Sequence, residues 1–136
     1  PAGGIAICAA TGAQERLKMS ADGMGGALFT WIDPRDGTYS TYVHRISGAG
    51  TFPAGWPTDG VSAGFSAGNM FDPVVAGDGT GAALVAWTDT RNLAANSDIF
   101  AQRIGADGTP SWNPDGLALC TVSGAQGTPA SSSLTG

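Results

Sequence analysis

The sequence predicts an all-β chain made of tandem four-stranded sheets, and three observations carry that prediction. The first is punctuation: 22 Gly and 8 Pro in 136 residues leave no apolar periodic run free of glycine for long enough to form a helix. The second is the choice of acid. Ten Asp stand against the single Glu15, and Asp suits turns where Glu suits helices. The third is repetition, since GGALFTWIDPR at 25–35 returns as GAALVAWTDTR at 81–91. Each copy follows an Asp-Gly dipeptide, runs through alternating apolar positions to a Trp, and ends in Asp-x-Arg.

The period is 56. GIAIC at 4–8 recurs as GVSAG at 60–64 and GLALC at 116–120, and Gly12, Gly68 and Gly124 keep the same register. Trp56 and Trp112 keep it too, while Tyr42, Arg45 and Ile46 match Phe100, Arg103 and Ile104 at a separation of 58. A slip of two residues that is later recovered places loops between fixed blocks, so the blocks are the structural elements. Residues 1–136 therefore form a single repeat region, with units at approximately 4–59 and 60–115 and a partial third unit at 116–136.

Within a unit the elements are expected in this order. The first strand covers 17–21 or 73–77 and is closed by Asp22-Gly23 or Asp78-Gly79, a dipeptide that turns hairpins. The second covers 27–33 or 83–89. Its alternation puts Ala27, Phe29 and Trp31 on one face and Leu28, Thr30 and Ile32 on the other, so both faces are largely apolar, as in a sheet packed between two neighbours. The third covers 41–46 or 99–104. The fourth begins at Trp56 or Trp112 and ends at 61–63 or 117–119. Four strands per unit and this period match the radial repetition of a β-propeller better than a sandwich.

A fourth-type strand is also expected at 4–8 and a first-type strand at 130–134, which gives about two and a half propeller-like blades against a usual ring of roughly 4 to 8. Unpaired strand edges are a liability. The expected partners are therefore other copies of the chain or the rest of a longer one.

A content of 42% hydrophobic and 12% charged residues is globular, and a net charge of −5 without a basic cluster argues against nucleic-acid or anionic-membrane partners. No run approaches the roughly 18 apolar residues of a membrane-spanning helix. Cys8 and Cys120 lack zinc-site spacing and occupy equivalent positions two units apart. That separation exceeds the roughly 7 Å a disulfide tolerates, so buried thiols are expected, the alternative being a bond to another copy or to a further part of the chain.

Trp31, Asp33 and Arg35, repeated as Trp87, Asp89 and Arg91, are the most specific motif. Alternation puts the three on one side of an extended strand, where carboxylate and guanidinium pair beside an indole. One reading is a structural tie at each strand end. The other is a repeated surface pocket that binds sugar or peptide by Trp stacking. The glycine-rich turns at 22–26 and 77–81 supply one carboxylate each, which suits a hairpin rather than calcium, and nothing in the sequence calls for a cofactor. His44, the only histidine, has Gln102 as its repeat partner and reads as a solvated or hydrogen-bonded strand position rather than a base. A paired-carboxylate glycosidase would have to use two Asp.

The turn Asp107-Gly108-Thr109-Pro110-Ser111-Trp112 partly resembles the Asp-box of sialidase-type propellers, with Gly108 one residue early and Ala49 in place of the Asp in the first copy. Taken together, 78–91, 98–108, 112–120 and 123–129 resemble the repeats of large secreted bacterial propeller-like proteins. That resemblance implies an extracellular or cell-surface location and a binding or scaffolding role, with no catalytic residues. Two classes of function follow: a noncatalytic extracellular β-repeat module for adhesion, scaffolding or self-assembly, or a blade pair of a glycan-acting propeller hydrolase or carbohydrate-binding propeller. An enzyme needs polar residues that break the repeat in one blade. Glu15, Arg16, Lys18 and His44 are the main ones.

Overall fold

The computed structural model describes residues 2–92, 96–124, 126–127, 129–130 and 132. Eight strands follow one another: β1 (Glu15–Ala21), β2 (Ala27–Asp33), β3 (Ser40–Ile46), β4 (Val61–Ser62), β5 (Met70–Gly77), β6 (Ala83–Asp89), β7 (Asp98–Ile104) and β8 (Leu117–Cys120). They form two four-stranded antiparallel sheets, ordered β1-β2-β3-β4 and β5-β6-β7-β8. The all-β repeat architecture expected from the period of 56 is present. Each sheet has the order of a propeller-like blade.

Register follows the repeat. Trp31 faces Tyr42 across β2 and β3, and Trp87 faces Phe100 across β6 and β7. In each first strand one residue is extruded as a bulge, and the same position carries it: Arg16 at φ 56° and Asp72 at φ 48°, with the register shifting at both places.

Three details differ from the sequence-based expectation. The fourth strands do not begin at the second Trp. Residues between Trp56 and Gly60, and between Trp112 and Gly116, form turns containing Pro57 and Pro114, and pairing starts only at Val61 and Leu117. Residues 4–8 are not a strand, because no described strand runs beside them to accept a ladder. The hairpin after β1 is a five-residue loop rather than a tight two-residue turn, closed by Asp22 N–H donating to Gly26 O at 3.1 Å. The strand expected at 130–134 lies largely outside the described residues.

The core sits between the blades. Leu28, Val43 and Ala63 from one face of the first blade join Val75, Ala83, Val85 and Ile104 from the opposing face of the second in one buried cluster. Polar bonds cross the same seam: Gly81 N–H to Asp22 O at 3.1 Å, Trp56 Nε1–H to Ala106 O at 2.9 Å, and Met70 N–H to Tyr39 O at 2.7 Å.

Candidate functional site

The two Trp-Asp-Arg motifs form two similar cages. In the second blade Asp89 is fully buried at the end of β6, and its Oδ1 accepts from Arg91 N–H at 2.8 Å, Arg91 Nε at 3.0 Å and Ser66 Oγ at 2.9 Å. Its Oδ2 accepts from Arg91 Nη2 at 2.7 Å and Trp87 Nε1 at 2.9 Å. The guanidinium carbon of Arg91 lies 3.8 Å from the centre of the Phe100 ring, so the same side chain ties the strand end to its neighbour.

The first blade repeats the arrangement. Asp33 Oδ1 accepts from Arg35 N–H at 2.9 Å, and Oδ2 accepts from Arg35 Nη2 at 2.5 Å, Gln14 Nε2 at 3.3 Å and Trp31 Nε1 at 3.4 Å. Arg35 stacks 3.8 Å from the Tyr42 ring centre and reaches Asp59 O and Cys8 Sγ. Burial alone would raise the pKa of both carboxyls. The opposing hydrogen bonds from Arg35 or Arg91, from backbone and from indole outweigh it, and both Asp33 and Asp89 are held below the usual carboxylate value.

A second pair of ion pairs, which the sequence reading passed over, repeats at the other end of the sheets. Asp22 accepts from Arg45 Nε at 2.8 Å, and Asp78 accepts from Arg103 Nη2 at 2.8 Å. Their signal was the register itself, since Asp22 and Asp78, and Arg45 and Arg103, are repeat partners. Hydrogen bonds from Thr80 lead in lowering the Asp78 pKa, to about 2.

The residues that break the repeat do not converge. His44 is fully buried and stacks with Phe52, ring centres 4.5 Å apart, and with Trp56, at 5.8 Å. Its Nδ1 accepts from Arg45 N–H at 2.8 Å, while Nε2 has no partner among the described residues. Burial lowers its pKa, against a smaller upward pull from Asp59. The position is thus hydrogen-bonded but not solvated. Glu15, Arg16 and Lys18 lie on the exposed β1, where Arg16 Nη1 meets the repeat-equivalent Asp72 at 2.5 Å.

Asp107 caps its own turn, accepting from Thr109 N–H at 3.1 Å and Thr109 Oγ1 at 2.6 Å. Trp112 N–H bonds Gln102 Oε1 instead, so the Asp-box-like residues make a turn but no Asp–Trp staple. Cys8 and Cys120 are free and only half-buried, a correction to the expectation of buried thiols, because each sits on a surface segment against a polar partner, Arg35 or Gln126. Among the described residues no group of His, Cys, Asp and Glu could hold a metal ion, and no helix is long and apolar enough to cross a membrane.

One open groove of about 630 Å³ borders a cage. It is lined by Asp36, Ser40, Phe65, Arg91, Asn92 and Asp115, among others. No protein-family model, curated protein or solved structure matches the chain.

Proposed function

We propose that this chain is a noncatalytic, extracellular β-repeat module that serves adhesion, scaffolding or self-assembly as part of a filament or larger propeller. The observation that carries this reading is the duplication of the cage. A reactive group is needed once, in one place, whereas Asp33 and Asp89 each collect hydrogen bonds from the same two neighbours, the Trp two residues before and the Arg two residues after, at the end of a strand. A carboxylate held ionised by an adjacent guanidinium is a poor proton acceptor, which suits a tie rather than a general base. The extracellular location rests on the repeat resemblance described above.

A second reading, a carbohydrate-binding blade pair, draws support from the groove beside Arg91, where hydroxyl, carboxylate and amide groups flank the exposed Phe65 ring. The two readings separate in one experiment. Incubation with a panel of glycosides and esters should give no turnover, and glycan-array binding should be absent or unaffected by Phe65→Ala. Turnover abolished by a single Asp substitution would reverse the primary reading.

A further inference from the structure

The seam between the blades joins two different surfaces, and each of those surfaces appears once more on the outside of the molecule with large apolar side chains exposed. Val75 of β5 is packed into the seam at 4% exposure, yet its repeat partner Met19, on the matching face of the first blade, is 67% exposed. Pro73 is buried where its partner Leu17 is exposed. On the opposite side Leu28 of β2 is fully buried in the seam, whereas its partner Leu84 is 40% exposed. Ala63 and Trp56 are likewise covered while Leu119 and Trp112 are exposed. The outer face of the first blade is therefore the second blade's half of the seam, and the outer face of the second blade is the first blade's half.

We infer that these two outer faces bind each other, so that a second copy of this chain docks head to tail and rebuilds the seam already present within one chain. This inference rests on the self-assembly reading above and names its surfaces. Two of the polar bonds across the seam are matched as well, while the third, Met70 N–H to Tyr39 O, has its repeat equivalent already made within the chain by Gln126 N–H and Ser97 O at 2.9 Å. Trp56 Nε1 donates to Ala106 O across the internal seam. Its partner Trp112 has an indole N–H that reaches the corresponding carbonyl, Gly48 O, of the docked copy. Gly81 N–H donates to Asp22 O internally, and Gly25 N–H of one copy meets Asp78 O of the other in the same way. The contact is heterologous, so it extends into a ring if the rotation closes and a filament if it does not. Burying the exposed Met19, Leu84 and Leu119 supplies the apolar drive.

The test uses the whole chain in sedimentation velocity at rising concentration, with two surface variants, Met19→Asp on the first blade's outer face and Leu119→Asp on the second blade's. Far-UV circular dichroism checks that both stay folded, as expected for exposed positions. The wild-type chain should associate with increasing concentration, and each variant alone should remain monomeric. An equimolar mixture of the variants should form one-to-one dimers and nothing larger, because only one intact pair of faces remains. A wild-type chain that stays monomeric throughout would assign the faces to another occupant and overturn the inference. So would a mixture that stays monomeric, or either variant associating as the wild type does. Glycoside and ester turnover measured on the same samples tests the noncatalytic reading separately, and its result does not depend on association.

Discussion

At the scale of single residues, the buried Asp89 is worth more as an anchor than as an isolated charge. Replacing it with Ala leaves a largely buried guanidinium without its carboxylate and strips Trp87 Nε1 and Ser66 Oγ of their acceptor. Asp89→Ala should lower stability by about 3 kcal/mol in urea denaturation, in the range for removing one partner of a buried pair. An unchanged midpoint would show that the cage does not stabilise the fold. The same carboxylates set the acid limit. Unfolded Asp titrates near about 3.9, and Asp22, Asp33, Asp78 and Asp89 all lie lower in the fold, Asp78 at about 2. Their stabilisation is complete above about pH 4 and is lost as pH falls through the folded values.

His44 acts in a separate window. The unfolded imidazole takes its proton near about pH 6.5, the buried one only at lower pH. Stability should therefore fall as pH drops below about 6.5 and level off once the folded group titrates. His44→Gln installs the amide found at position 102, which bonds Arg103 N–H, Trp112 N–H and Asn113 O. A series of melts from pH 7 to 5 should show this slope in the parent and its loss in the variant. As the chain has one histidine, a slope that persists in the variant would refute the assignment.

At the scale of elements, the fourth strands are held by glycine rather than by hydrogen-bond ladders alone. Gly116 sits at φ 83°, and a Cβ there would lie 2.8 Å from Trp87 Cη2; Gly60, at φ 85°, meets Trp31 Cη2 at 2.7 Å. Gly116→Ala adds left-handed backbone strain to a steric clash with a buried indole and should cost about 2–4 kcal/mol, read from the urea midpoint. A variant as stable as the parent would mean that the turn relaxes freely. These glycines were legible as repeat marks, but their role was not. Which side chain approaches them depends on the turn that lifts residues 56–60 off the sheet, and the sequence suggested a strand there. The central strands were legible because alternation and a terminal Trp-Asp-Arg coincide in them. The partners of the cage, Ser66 and Gln14, were not, since they come from the preceding segment through tertiary packing.

At the scale of the whole molecule, stability is pooled at the seam. Leu28, Val43, Val85 and Ile104 come from both blades and form one cluster, so neither sheet keeps its core without the other. Thermal unfolding followed by far-UV and near-UV circular dichroism should superpose as one transition, and Ile104→Ala, at about 2–5 kcal/mol, should shift the entire curve. Two resolved transitions would mean that the blades are independent. The placement of Trp56 has an optical consequence. Its ring is nearly parallel to that of His44 and its N–H is tied to Ala106 across the seam, whereas Trp31 is buried against Tyr42 of its own blade, Trp87 is packed in the cluster that both blades share, and Trp112 faces outward. The four indoles thus stand in distinct surroundings, and a variant that keeps only Trp56 as its fluorophore would emit from the joint itself. A red shift in its emission would report water entering between the sheets, and it should coincide with the single transition in which both lose their strands.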